Sequence, residues 1–275
     1  MPFTPSHAVV ALPFARTPLL PAAIAIGAMT PDLPLFLRGT PLTYQETHTN
    51  LVLSSVVALM LLVLWYVLLR PAVRELSPAW LSRRLPEEWD VTGAAVWRSL
   101  RAQRPGARRA VWGDPVVFTM LVVLSLVLGV VSHIGWDAFT HEGRWGTRLL
   151  PGLDAQWGPL SGYKWLQHGS SVLGLAVLAI AAVFWLRRRV PTARPERLLP
   201  PGIRTLFWFS LPIALVVGWG IGLLVYGPLT ATWTAQHLAY RVLPPACALW
   251  AALAGALCIA VIVRRRRGRS DAVKG

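Results

Sequence analysis

A chain of 275 residues that is 55% hydrophobic yet carries a formal charge of +15 is a poor match to a soluble enzyme. Positive mean hydropathy combined with abundant Lys and Arg suits a polytopic membrane protein, in which apolar runs cross the bilayer and basic residues collect on the cytoplasmic side. Nucleic acid is set aside as the reason for the charge, because Arg264-Arg265-Arg266-Arg267-Gly268-Arg269 follows directly on an apolar stretch and reads as a stop-transfer anchor beside anionic lipid headgroups.

Residues 1–50 are apolar but interrupted by Pro2, Pro5, Pro13, Pro18, Pro21, Pro31, Pro34 and Pro41, too many for one clean spanning helix. Short helices or a re-entrant hairpin are expected. If 18–38 spanned instead, there would be six spans and His7 would fall on the far side. The start Met1-Pro2-Phe3-Thr4-Pro5 has no basic n-region, so no cleavable signal peptide is expected. The first span is expected over 51–69. A basic, membrane-hugging connector follows over 70–115, with surface helices over 77–85 and 91–102 and Trp80, Trp89 and Trp97 along it. The second span covers about 116–137, and the Gly-, Pro- and Trp-rich stretch 142–169 reads as a loop. Further spans are expected over 168–186, 206–226, with a kink at Pro212, and 246–263. Cys247 and Cys258 share the last of these at about 16 Å along the axis, too far apart for a disulfide.

Charge then orients the spans. Nine Lys or Arg residues lie in 70–115, six in 187–205 and six after 263, placing 21 of 27 on one side of a five-span topology. That side is expected to be cytoplasmic. The expected fold is therefore all-α: about five transmembrane helices plus an N-terminal re-entrant or short-helix segment. It forms a single integral-membrane domain over 1–275, divided into 1–50 (ligand-bearing), 51–186 (core spans), 187–263 (two C-terminal spans) and 264–275 (basic tail).

The stretch His133-Ile-Gly-Trp-Asp137-Ala-Phe-Thr-His141 places three potential metal ligands at i, i+4 and i+8. At about 100° per residue they drift only about 80° around a helix, so all lie along one face. Imidazole and carboxylate at helix-turn spacing suit one shared ion. On the five-span topology His7, Asp32, His48 and His168 reach the same outer face, whereas His237 reads as a loop residue. Ionisable groups at membrane depth are costly and are usually functional.

Taken together, Thr4-Pro5-Ser6-His7, Pro31-Asp32-Leu33-Pro34, Thr47-His48-Thr49, His133-x3-Asp137 with Thr140-His141, and Tyr163-Lys164-Trp165-Leu166-Gln167-His168-Gly169-Ser170 resemble an uncharacterised bacterial integral-membrane family. The resemblance spans roughly residues 1–175. That family is similar to the LexA-regulated inner-membrane metal-dependent hydrolases and, more distantly, to the zinc-dependent phospholipase C and single-strand nuclease superfamily. The resemblance implies a protein of the bacterial inner membrane, and the charge distribution puts its C-terminus in the cytoplasm. It assigns His7, Asp32, His48, His133, Asp137, His141 and His168 as metal ligands. The soluble relatives carry a Glu four residues after the last His, where this chain has Val172, so the third metal position is not reproduced.

The implied cofactor is a divalent metal, Zn first, with Mn or Fe also compatible with the ligand set. The implied chemistry is hydrolysis of a phosphoester, such as a lipid headgroup or lipid-linked phosphate, with Asp137 and Glu142 as catalytic candidates and Glu46 as an alternative base or outer partner. Trp145, Trp157, Tyr163 and Trp165 would line the approach. The expected partners are membrane lipid at the site and anionic headgroups at the basic loops. The main alternative is a non-catalytic membrane scaffold. A haem held by His133 and His168 is disfavoured by Asp137 one turn away, and a transporter by the uncharged third and fifth spans.

Overall fold

The computed structural model describes residues 3–37, 40–93, 95–102, 113–193 and 195–274. The central part of the basic connector, 103–112, lies outside the described residues, as do Met1, Pro2, Arg38 and Arg194.

The described chain is almost wholly helical. Its 3₁₀ segment Thr4–Arg16 leads into α1 (Pro21–Met29), a second 3₁₀ turn Thr30–Leu35, and α2 (Tyr44–Thr49). Then come α3 (Leu51–Leu76), α4 (Ala79–Ser82), α5 (Ala95–Ala102), α6 (Pro115–Thr140), α7 (Trp145–Leu149), α8 (Gly162–Arg187), α9 (Pro201–Tyr226) and α10 (Ala235–Lys274). A two-residue hairpin, β1 (Gln156–Trp157) with β2 (Leu160–Ser161), lies just before α8. Among the described residues five helices are long and apolar enough to cross a membrane: α3, α6, α8, α9 and the part of α10 up to Gly268. At nine residues α1 reaches only about 14 Å, short of the roughly 30 Å hydrocarbon layer, so it adds no sixth span. The N-terminal region is thus a run of short helices.

Several boundaries differ from the sequence expectation. The first span continues to Leu76 instead of ending at 69. A π-turn over Trp65–Leu69 widens the helix just before Pro71, accommodating a residue that lacks an N–H and crowds the preceding turn. The third begins at Gly162, six positions early, because no breaker separates Gly162 from the apolar run. The fifth begins at Ala235 and carries Pro244 and Pro245 inside it. Of the surface helix expected over 77–85 only α4 forms, with a 3₁₀ turn at Glu87–Asp90 after it.

The chain divides into two compact units. The first comprises Met1–Leu33, Leu42–Leu62 and Leu100–Arg189. Its core is the crossing of α1 over α6, where Ala23, Ile24, Ala28 and Val130 are fully buried. Gly27 and Gly129 make the crossing possible: a Cβ on Gly27 would collide with the Leu126 carbonyl, and one on Gly129 with the Ile24 carbonyl. The Leu20 amide donates to Ser125 Oγ at 2.9 Å, fixing the start of α1 on the same helix. The 3₁₀ segment lies along α8, where the Phe3 amide donates to Ser171 Oγ at 2.9 Å and Gly174 leaves room for the Ser6 backbone.

The second unit comprises Pro34–Pro41, Val63–Ser99 and Val190–Gly275. Here α9 packs on α10, with Gly222 against Val242 and Leu238. A buried polar lattice completes it. Glu75 accepts from the Leu198 and Leu199 amides at 3.2 and 3.1 Å, Arg197 donates to the Arg74, Glu75 and Ser77 carbonyls and to Ser82 Oγ, and Asp90 pairs with Arg74 and Arg265. Cys247 and Cys258 are both free thiols on α10.

Candidate metal centre

Asp137 lies in the first unit about two turns past the Gly129 crossing on α6, and side chains from four elements close around it. His133 Nε2 lies 3.4 Å from Asp137 Oδ2 and 3.6 Å from Asp32 Oδ1. His48 Nε2 lies 3.5 Å from Asp137 Oδ2, and His7 Nε2 lies 3.9 Å from Asp137 Oδ1. Asp32, His48, His133 and Asp137 each offer a ligand atom within 4.8 Å of all the others, and all four are buried.

These separations can be compared with ordinary coordination. Two ligands on one tetrahedral ion, each about 2.1 Å from it, stand about 3.4 Å apart, close to the distances found here. The hydrogen-bond inventory points the same way. His7 Nε2, Asp32 Oδ1, His48 Nε2, His133 Nε2 and Asp137 Oδ1 are buried and lack a hydrogen-bond partner. One such atom would cost about 1–3 kcal/mol, and five converging on one place make an uncompensated polar pocket unless a cation completes it. The residues present therefore fit a divalent metal.

Local structure explains why these atoms point inward. His133 Nδ1 lies 2.7 Å from the Ala28 carbonyl and His48 Nδ1 lies 2.9 Å from the Tyr44 carbonyl. A carbonyl only accepts, so both rings carry their proton on Nδ1 and turn a free Nε2 lone pair to the carboxylates. This is the outer hydrogen bond by which metal-ligating histidines are oriented. Asp32 sits on the 3₁₀ turn between Pro31 and Pro34, and Thr4 Oγ1 donates to its Oδ2 at 2.7 Å, leaving Oδ1 for the centre. Thr47 holds α2 in place by donating to the Pro31 carbonyl at 2.7 Å. The helix itself begins on a capping box between Thr43 and Glu46.

Electrostatics at the groups outside the spans agree with a neutral His7 and a carboxylate in want of a cation. Burial, reinforced by the neighbouring His133, lowers the His7 pKa to about 4, so its ring is neutral at neutral pH. Burial raises Asp32 above the usual carboxylate range. Tyr44 is pushed well above its ordinary value by burial and by Asp137, so the phenol keeps its proton. Its hydroxyl lies 3.4 Å from Asp137 Oδ2 and its ring stacks on His48 at 3.8 Å.

The other predicted residues are placed differently. His141 lies at the rim, its side chain 19% exposed, with Nδ1 3.5 Å from Asp137 Oδ2 and 3.2 Å from the Asp137 carbonyl. Its Nε2 faces the Gln167 amide at 3.4 Å, and burial lowers its pKa. His168 is exposed; Gln167, one position earlier and about 100° around α8, is the residue that turns inward. Glu142 is exposed and accepts from the Tyr163 hydroxyl at 3.1 Å, while Glu46 is exposed and spent on the Thr43 cap. Trp145, Trp157 and Trp165 are exposed, and Trp165 Nε1 donates to the Trp157 carbonyl at 2.7 Å. Sequence reasoning missed Tyr44 and Gln167. The signal for Tyr44 was its position four residues before His48, where its carbonyl had to meet the ring.

No curated protein and no solved structure matches the chain. A family model does, over residues 1–263, and the chain belongs to that family, described as a domain of unknown function, DUF4184.

Proposed function

We propose that this protein is a membrane-embedded, metal-dependent hydrolase of a phosphoester borne by a membrane lipid or a lipid-linked phosphate. The observation that carries the reading is the set of five buried nitrogen and oxygen atoms, lacking partners, that converge between His7, Asp32, His48, His133 and Asp137 in a chain of apolar helices. A divalent ion held there, zinc first, supplies Lewis acidity that polarises a phosphoryl oxygen and makes water a nucleophile near neutral pH. Asp137 turns Oδ2 to His48 and His133 and Oδ1 to His7, the arrangement of a carboxylate that can serve two ligand groups at once. Asp32 supplies the second negative charge and neutral imidazoles the remaining donors. Tyr44 keeps a proton beside Asp137, where it can donate to an oxygen anion. His141, at the accessible rim, is the residue placed to exchange a proton with solvent. Glu142 retains a role only at the outer approach, since it lies exposed against Tyr163.

The centre is assigned to the outer face of the bacterial inner membrane, with the C-terminal basic helix end in the cytoplasm beside anionic headgroups. The support is the distribution of basic residues, 21 of 27 of which the five-span topology assigns to the opposite side.

A second reading is favoured by burial. His133 and Asp137 are 0% and 2% exposed, as in closed structural sites, and an ion there would tie α2, α6 and the two 3₁₀ segments together without chemistry. Phosphomonoester and alcohol release from a short-chain phosphodiester, and cleavage of a phospholipid at its phosphodiester, measured on zinc-loaded wild type and on Asp137→Ala treated alike, separate the two. Turnover lost in the variant supports the hydrolase. Bound zinc with no turnover on either substrate supports the structural ion.

A further inference from the structure

His7 has a second neighbourhood. Its ring lies against that of His133 at 4.1 Å with Nε2 3.9 Å from Asp137 Oδ1, and the residue also lines a groove of about 520 Å³ between the 3₁₀ segment, α6 and α8. Side chains three apart eclipse one another on a 3₁₀ helix, so His7, Val10 and Pro13 form one wall that runs about 12 Å from the metal centre. On α8, Ser170, Leu173 and Val177 form the opposite wall over about 10 Å. The two walls are graded alike. At the His7 end Trp136 Nε1 donates to Ser170 Oγ at 3.1 Å; beyond it the lining is Val10, Pro13, Leu173 and Val177, and Ser132, also in the lining, spends its hydroxyl on the Gly129 carbonyl at 2.7 Å. Both α6 and α8 qualify as membrane spans, so the apolar end opens sideways towards hydrocarbon. A groove on another side of α6, lined by residues from Pro115 to Val127, contains none of the centre's ligands.

We infer that this groove seats one hydrocarbon chain of the lipid substrate, which reaches the centre sideways from the bilayer with its phosphoester at the His7 end. The inference rests on the hydrolase reading for the word substrate, but the seating of a chain beside His7 is a separate physical claim. Polarity selects the orientation: the chain would lose contacts at the Trp136–Ser170 end, and the phosphate would lose solvation at the Leu173–Val177 end. Width selects a single chain, because Gly174 brings the 3₁₀ segment against α8 at the groove floor.

The test uses the full-length, zinc-loaded protein in phosphatidylcholine vesicles containing a phosphatidylglycerol with a diazirine on its acyl chain. After illumination, labelled peptides are mapped by mass spectrometry. Label concentrated on Val10, Leu173 and Val177 relative to Met120 and Leu124, and falling about ten-fold in Val10→Trp or in Leu173→Trp, is the expected result. Leu173 is 65% exposed, so its replacement leaves the packing intact if Val10→Trp does not fold. Equal label in the groove and at Met120 and Leu124, or label unchanged by a folded variant, overturns the inference. Metal content is measured on every variant and is expected to be unchanged. Labelling requires no turnover, so failure of the hydrolase reading and failure of the groove give different results: in the first no phosphoester is cleaved and selective label is retained, in the second selective label is absent and a short-chain phosphodiester is still cleaved.

Discussion

His133 donates its Nδ1 proton to the carbonyl of Ala28 across 2.7 Å, and this hydrogen bond connects the helix crossing to the candidate metal centre. Ala28 stands at the point where α1 presses on α6, one residue after Gly27 and opposite Gly129. The backbone of one helix can come close enough to fix the tautomer of a histidine on the other only because both contact positions lack a side chain. The metal-facing nitrogen of His133 is therefore a consequence of glycine placement as much as of the histidine itself.

Enlarging the crossing should accordingly damage both stability and metal binding. Gly129→Leu is expected to destabilise the protein by about 3 kcal/mol and to abolish stoichiometric zinc binding, because the Ala28 carbonyl is pushed away from His133. Gly135→Ala on the same helix meets nothing within 4 Å and should be neutral or slightly stabilising. Thermal melts and zinc titration of the two variants in detergent check the pair.

Adjacent positions on α8 should behave differently. Gln167→Ala removes the partner of His141 Nε2, a rim residue that contacts the Asp137 carboxylate, and is expected to weaken zinc binding by a few-fold, less than the about ten-fold loss of a direct outer partner of a ligand. His168→Ala, at an exposed position, should leave it unchanged. Calorimetric zinc titration reads both, and a larger loss in His168→Ala would reverse the assignment.

Acid should destabilise the metal-free protein through His7. Its pKa falls from 6.5 to about 4 on folding, so between those values the unfolded chain binds the proton and the folded chain does not. Stability from this group is fully present above pH 6.5 and is lost as pH falls towards 4, by at most about 3 kcal/mol. Asp32, raised by burial, acts in the opposite direction, since the folded chain binds its proton more readily. Replacing His7 by Gln should flatten the acid-side slope of the melting temperature between pH 6.5 and 4, and an unchanged slope would assign it elsewhere.

The second unit offers a contrast. Glu75 is 2% exposed and its carboxylate receives the Leu198 and Leu199 amides, with Arg204 3.7 Å away. Glu75→Ala leaves those two amides without an acceptor, while half-buried Arg204 keeps the Leu199 carbonyl, and should cost about 3 kcal/mol. Zinc stoichiometry should be unaffected, since the ligands lie in the first unit. A melting curve beside a metal determination distinguishes this outcome from a general loss of fold.

Hydropathy and charge made the spans legible, and long apolar runs are the strongest signal a sequence offers. The ends of those spans were not. The π-turn ahead of Pro71 and the start of α8 at Gly162 depend on local backbone geometry that apolarity does not report. At the site, polar residues that are costly in an apolar setting marked where His7, Asp32, His48, His133 and Asp137 would gather. What composition could not supply was the difference between neighbours. Gln167 and His168 differ by one step around a helix, and an amide at a metal site looks like any surface glutamine until its partner is known. Glu46 and Glu142 had plausible chemistry by type, but each is occupied locally, by the Thr43 cap and the Tyr163 hydroxyl. Ala28 contributes a backbone carbonyl, which no side-chain reading could have flagged.

The most direct test is elemental analysis of the purified full-length protein beside Asp137→Ala, after equal exposure to zinc and removal of excess. About one or two equivalents of divalent metal per chain in the wild type, and close to none in the variant, is the predicted result. Equal, near-zero metal in both would contradict the account at its centre.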